Sequence, residues 1–386
     1  MRRRGGARGL GMAALLVGGL AACGPTGGGA PVAPAVPAKP AAPAAQPPAA
    51  PTAAGGAAAQ QPSGAAAPSG QQPAAAAAPA ASETVSHTLI SPAAPYWPTW
   101  VGQAKGFFAA RGITLDVTIT PRIPDAARAL ASGSYETGGF IPDTALLAVL
   151  QGAPITLVGT QTERATYKLA VSPATTSYAD LRGKTLAAGA VNDVTAGMLI
   201  RTLRQNGVAP GEYELVAVGS TPERYAALTS GQAAGVLLTP PIDVRAEREG
   251  YHMLANLAET LPPYAYGGLL VNRDWAAEHR DTVARWLAGM LESVRWLYDP
   301  ANRAEAVSIL MDVAKSNEED TQIAYGAAVE GRTYPTDLRT TRAQLDALIE
   351  LMREVGTAPD PLPDLDRFLD NSYLDAATRL AGPAAR

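Results

Sequence analysis

Apolar residues alternate with polar ones over residues 84–90 (TVSHTLI), then recur at helical spacing through Trp97, Val101, Ala104, Phe107 and Phe108. After Arg111 and Gly112 the alternation returns over 113–120. Period two marks a strand and period 3.6 a helix, so this stretch is predicted as strand, loop, helix, strand. The loop carries Pro95, Tyr96 and Trp97. Ligands of α/β sheets meet the loops that leave the carboxyl ends of strands, so these aromatics form either one wall of a site or a plug on the end of the sheet.

The same two periods continue down the chain. Residues 124–132 read as a short helix and 135–141 (YETGGFI) as a strand. Its paired glycines let the backbone come close to a ligand at Gly139, with Phe140 beside it, or simply make a tight turn. Pro142 opens a helix over 143–151, and 154–162 (PITLVGTQT) is an apolar strand that puts Gln161 at its carboxyl end. Strands follow at 167–172, 184–189, 215–218, 234–238 and 253–257, with helices between them.

The helix over 191–206 has the apolar stripe Ala196, Leu199, Ile200 and Leu203, and Asn192, Asp193 and Thr195 crowd its start. Any of the three could cap it; the free N–H groups and the positive end of the helix dipole also suit an anion or a carbonyl oxygen. Residues 239–243 (TPPID) open a further helix and bring Asp243 to a strand end. An extended segment, 261–271, carries Tyr264 and Tyr266. The strongest helix pattern, 281–298, aligns Val283, Trp286, Leu287, Met290, Leu291, Val294 and Leu297 on one face, which is core. Ser316 with Glu319 three residues on suggests a capping box, and 338–355 is amphipathic up to Gly356. Strands alternating with helices predict a mainly parallel sheet flanked by helices on both faces.

Composition removes several function classes. The chain has 386 residues, a formal net charge of -4 and no block of like charge beyond its first arginines, which argues against nucleic acid as a partner. Its single cysteine, Cys23, excludes an internal disulfide framework, and the three histidines, His87, His252 and His279, lack metal-ligand spacing. No metal and no cofactor is expected. Residues 1–22 have the layout of an export signal: Arg2, Arg3, Arg4 and Arg8 precede a run of about thirteen small and apolar residues, short of the roughly 20 that span a bilayer. Residues 23–83 are Ala/Pro-rich with Lys39 as the only charge before Glu83, a composition expected to form a disordered tether with a span of roughly 45 Å.

Leu20-Ala21-Ala22-Cys23 resembles the lipobox of bacterial lipoproteins, which implies cleavage before Cys23 and lipidation of its thiol. The segments 103–117 (QAKGFFAARGITLDV), Gly138-Gly139, 180–186 (DLRGKTL) and Asn272-Arg273-Asp274 together resemble the solute-binding proteins of ABC importers, in the nitrate, sulfonate, taurine and thiamine-pyrimidine group. That resemblance covers about 84–375. It implies a two-lobed α/β fold of the type II periplasmic binding kind: lobe one over 84–170 and 266–386, lobe two over 171–265, and two hinge strands between them. It implies a lipid-anchored, extracytoplasmic monomer that closes on a small solute and passes it to an ABC permease and its ATPase. The ligand is expected between the lobes, against Tyr96, Trp97, Gly139, Phe140, Gln161, Asn192, Asp193, Thr195, Asp243, Tyr264 and Tyr266. No Arg or Lys falls on these loops except Arg164, which tilts the expectation towards a planar, largely neutral ligand such as a pyrimidine over a sulfonate or nitrate anion. Two other readings are a ligand-sensing lipoprotein without transport and an enzyme. Pyrimidine-synthesis enzymes share the implied fold but rely on a histidine and a cysteine cluster absent from this chain.

Overall fold

The computed structural model describes residues 82–361 and 364–382. The expected signal over 1–22, Cys23 and the Ala/Pro-rich stretch up to residue 81 lie outside the described residues.

In chain order the first part contains β1 (Glu83–Leu89), α1 (Trp97–Ala104), β2 (Ile113–Ile119), α2 (Ile123–Ala131), β3 (Thr137–Phe140), α3 (Asp143–Leu150) and β4 (Ile155–Thr162). The middle part contains β5 (Lys168–Val171), β6 (Thr185–Ala188), α4 (Val194–Gln205), β7 (Glu214–Ala217), α5 (Thr221–Thr229), β8 (Gly235–Leu238), α6 (Ile242–Arg248), β9 (His252–Asn256) and α7 (Leu257–Thr260). The last part contains β10 (Gly267–Asn272), α8 (Arg273–Glu278), α9 (Arg280–Leu297), α10 (Arg303–Ala314), α11 (Glu318–Tyr325), α12 (Arg342–Glu354) and α13 (Ser372–Ala381).

The strands make two sheets, ordered β2-β1-β3-β10-β4 and β7-β6-β8-β5-β9. In the first, β10 runs against both its neighbours, and in the second β5 does; the other strands of each sheet share one direction. The sheets are thus mainly parallel with one reversed strand each, and helices cover them. The mainly parallel, helix-covered sheets are what the strand and helix alternation predicts, and their division into two is what the family resemblance implies. The chain passes from one sheet to the other over residues 163–167 and returns over 261–266.

On one face of the first sheet, Val85, Leu115, Val158 and Leu269 pack under α1, α9 and α13. All seven residues of the α9 stripe are buried there. Gly102 and Gly289 hold Phe108 between α1 and α9: an added Cβ at either would lie 2.6 Å from the ring. The other face joins a larger core that runs through α3, α4 and α12 into the second sheet, with Leu146, Met198, Leu348 and Leu237 among its members. α12 packs on both α3 and α4. Its start is tied to both crossing segments, because Gln344 Nε2 donates to Glu163 Oε2 at 2.8 Å and the Ala265 amide donates to the Gln344 carbonyl at 3.4 Å. The capping box expected at Ser316 is replaced by an Asn317 cap, whose side chain accepts the Asp320 amide at 2.9 Å; the helix starts one residue later than the motif suggests.

Candidate functional site

A cavity of ≈ 390 Å³ lies between the two sheets. Its walls are the residues just beyond the carboxyl ends of β1 (Ile90, Ser91), β2 (Pro121 to Arg128), β6 (Gly189, Ala190), β7 (Gly219, Ser220) and β8 (Thr239). Carbonyl-end loops from both sheets therefore converge on one space, the arrangement that α/β sheets use for ligands.

The side chain that gives this space its chemistry is Arg224, on α5, which is 2% exposed and lines the cavity. The start of α5 is fixed by a capping box in which Ser220 and Glu223 bond reciprocally, so Glu223 is engaged with the backbone. One residue on, the Arg224 guanidinium turns back: Nε donates to the Leu237 carbonyl at 2.8 Å, Nη1 to the Gly219 carbonyl, and Nη2 to Thr221 Oγ1 at 3.1 Å and the Tyr167 hydroxyl at 3.4 Å. Gly219 has φ +87 and a Cβ there would meet Glu223 Oε2 at 2.2 Å, so the turn that aims its carbonyl at Arg224 requires glycine. None of the four partners is a carboxylate. A guanidinium carries five N–H donors, so this buried cation keeps donor capacity for a ligand, while its charge also acts on Asp193 in the same wall.

The start of α4, by contrast, is already filled. The Val194 amide donates to Asp143 Oδ2 at 2.7 Å, and the Ala196 amide donates to Asp193 Oδ1 at 3.0 Å. Asp193 Oδ2 accepts the Ala190 amide at 2.8 Å, and Thr195 Oγ1, which donates to Asp193, accepts the Gly189 amide at 2.8 Å. These two carboxyl groups take the role that the sequence left open to an outside anion. Burial, with the nearby Asp193 charge, pushes Asp143 up to about 7, and burial also raises Asp193.

Of the residues expected against the ligand, Tyr96, Asp193, Thr195 and Tyr266 line the cavity. Trp97, next to Tyr96, points the other way: it is 0% exposed, its Nε1 donates to the Ala306 carbonyl at 3.0 Å, and its ring meets Tyr325 edge-on at 5.9 Å. It anchors the start of α1, and Tyr334, whose hydroxyl donates to the Ala94 carbonyl at 2.6 Å, holds the loop that presents Tyr96. Gly139 and Phe140 are buried within β3, where a Cβ on Gly139 would meet Gln161 Nε2 at 2.6 Å. Gln161 is buried and accepts from Thr99 Oγ1 at 3.1 Å. Asn192 is exposed beside the cavity, not in its wall. Asp243 is buried in an ion pair with Lys168, 3.1 Å away. Tyr264 lies behind Tyr266, ring centroids 5.8 Å apart, with its hydroxyl 3.1 Å from Met198 Sδ.

Arg224 and Tyr167 are among the lining residues that sequence reading passed over, as are Arg122 and Arg128 on the loop and helix after β2. An arginine within TPERYAALT reads as an exposed helix position. The usable signal was its place in the first turns after the β7 carboxyl end, next to a capping box. None of the three histidines lines the cavity: His87 is in the core, and His252 and His279 bond the Thr175 and Trp275 carbonyls. Among the described residues no group of three or more His, Cys, Asp or Glu could hold a metal ion.

The sequence model of the family described as NMT1/THI5 like matches residues 95–304. No curated protein sequence matches the chain. Among solved structures, the chain is similar to the periplasmic nitrate-binding protein NrtA from Synechocystis PCC 6803, at 15% identity and TM-score 0.66 over 78% of this chain and 90% of that one. It is similar to the alkanesulfonate-binding protein SsuA from Xanthomonas axonopodis pv. citri, solved bound to MOPS, at 18% identity and TM-score 0.62 over 75% and 99%. It is also similar to the desulfurization enzyme DSZB, at 16% identity and TM-score 0.58 over 76% and 98%. At these identities the likeness is one of fold.

Proposed function

The chain belongs to the NMT1/THI5 like family, and from that premise we propose that it is the solute-binding component of an ABC importer, held outside the cytoplasmic membrane by lipid on Cys23, and that its solute is a small organic acid. The observation that carries the choice of solute is Arg224: a cation 2% exposed, bonded to carbonyls and hydroxyls, in the wall of a cavity between two sheets. Its hydrogen bonds go to no carboxylate and its charge acts only at a distance on Asp193, so an anionic ligand that bonds the guanidinium directly lowers the cost of burying it. Tyr96 and Tyr266, with Ile90 and Ile123, supply apolar and aromatic wall for the body of the solute. Alkanesulfonate, named for one protein of like fold, is the anion of such an acid, and nitrate, named for another, is an inorganic anion of the same charge.

This reading takes the anion alternative over the neutral heteroaromatic ligand that the sequence favoured on finding no cation but Arg164 in the strand-end loops. Binding without turnover is supported by the histidines lying off the cavity and by the single cysteine, Cys23, standing outside the two sheets in sequence. Calorimetric titration with nitrate, an alkanesulfonate, MOPS, benzoate and uracil tests it. At least one acid should bind wild type and lose at least a hundredfold in affinity in Arg224→Gln; binding of uracil alone, unchanged in that variant, would overturn it. Labelled palmitate incorporated by wild type and not by Cys23→Ala tests the anchor.

A further inference from the structure

Asp143 opens α3, which flanks the first sheet, yet its Oδ2 accepts the amide of Val194 on α4, which flanks the second, at 2.7 Å. Its Oδ1 accepts the Thr144 amide, also at 2.7 Å. Asp193 caps the same end of α4 from its own side. Two carboxyl groups, one from each half of the molecule, thus meet at one helix start, with 2% and 3% of their surface exposed. The helix dipole and the amides favour negative charge there, but burial and mutual repulsion oppose two charges at once.

We infer that Asp143 is a proton-operated catch between the two halves: neutral, it joins them through the Val194 amide, and ionised, it sets a second charge beside Asp193 and loosens that joint. The inference rests on the reading of the protein as a binder that closes over its solute, since the joint spans the halves that would close. The groups facing Asp143 are few. α4 brings Asp193 and the second crossing segment brings Tyr264, with Arg224 of α5 acting on Asp193. α2 brings Arg128, which is paired with Asp125. α12 carries the surface pairs Arg342–Asp346 and Glu350–Arg353, and Glu354 paired with Arg204. β4 (ITLVGTQT) carries no charge.

The direction follows from linkage. With the halves joined, Asp143 holds its proton up to about 7, against an ordinary value of 3.8 when exposed to water. The joined form binds the proton more tightly, so it is favoured at low pH and weakens as pH rises from about 4 to about 7, by about tenfold per pH unit in the middle of that window. Above about 7 the effect is complete. An acid solute that holds the halves shut would accordingly bind more weakly at about pH 8 than at about pH 5.

The test uses the full chain without solute, with Cys23→Ala and spin labels on Thr118→Cys and Ala226→Cys, exposed positions on β2 and α5. Dipolar distance distributions should be short and narrow at about pH 5, and at about pH 8 the short population should fall at least tenfold. Asp143→Asn should give the same distribution at both pH values. Asp193→Asn, a second probe if the first variant folds poorly, should move the transition to lower pH by removing the repelling charge. Distances in wild type that do not change with pH, or an unshifted transition in Asp193→Asn, would overturn the catch. No solute enters the experiment, so its failure leaves solute capture standing, and a chain that binds none of the acids above can still show the catch.

Discussion

The guanidinium carbon of Arg224 lies 5.4 Å from the ring centroid of Tyr167, so the buried cation of the cavity rests on an aromatic face. Tyr167 ends the first crossing segment and meets Tyr266, at the end of the second, edge-on at 5.6 Å. The solute site and both passages between the sheets are therefore one packed unit. Tyr167→Phe keeps the ring and removes one acceptor, and a less than tenfold loss in affinity for the bound acid is expected. Tyr167→Ala removes a cation–π contact of about 2 kcal/mol as well as the wall, and a loss greater than tenfold is expected by calorimetry.

Arg224→Lys keeps a charge but not the fork. The Gly219 and Leu237 carbonyls cannot both be served by one ammonium in the same place, so stability should fall by about 1–3 kcal/mol in urea denaturation. Affinity for the acid should fall between tenfold and a hundredfold, less than in Arg224→Gln.

Trp97 and Tyr96, adjacent in sequence, should separate in mutagenesis. Trp97→Ala opens a hole between α1, α10 and α11 and removes the indole bond to the Ala306 carbonyl, costing about 3–5 kcal/mol in denaturant unfolding. Solute affinity of the protein that remains folded should change little. Tyr96→Ala should do the reverse, weakening binding with the smaller stability loss.

Gly197 lies on α4 against α12, where an added Cβ would sit 2.3 Å from the Leu351 carbonyl oxygen. Backbone cannot yield as a side chain tip can, so Gly197→Ala should force the helices apart and cost about 1–3 kcal/mol or more. The thermal midpoint is the measurement, with Gly207→Ala unsuitable as a control because its φ is +79.

His87 provides a pH dependence opposite in sign to that of Asp143. Burial lowers it from 6.5 to about 3, so the unfolded chain takes up the proton first and stability rises with pH between about 3 and 6.5. In His87→Gln the acid side of the stability profile should flatten, while in Asp143→Asn the decline from about pH 4 to about pH 7 should disappear. Thermal midpoints across that range for both variants separate the two groups.

The sequence by itself determined the elements whose apolar period is strong and whose ends are chemically marked. The α9 stripe from Val283 to Leu297 and the alternation of β2 are local signals, and tertiary packing had only to agree with them, whereas the helix expected to run through Phe108 to Gly112 ends at Ala104 and Gly112 closes a separate short turn over Ala109–Arg111. The strand and helix alternation in turn limited the topology to flanked, mainly parallel sheets, and strand-end loops were legible as the place for a ligand. Tertiary structure decided which of two neighbouring side chains faces that place. Tyr96 and Trp97 differ by one step of a helical start, about 100° of rotation, and only the position of Ala306 and Tyr325 shows that the larger ring turns inward. It also decided the charge of the site. Arg224 is marked in sequence only by its place after β7 beside a capping box, because its burial depends on carbonyls at Gly219 and Leu237 on either side of α5, and the α4 start looked open because part of what fills it, Asp143, is 51 residues away across the cleft. Local periodicity fixes elements; which polar groups meet inside depends on long-range contacts that no short stretch of sequence contains.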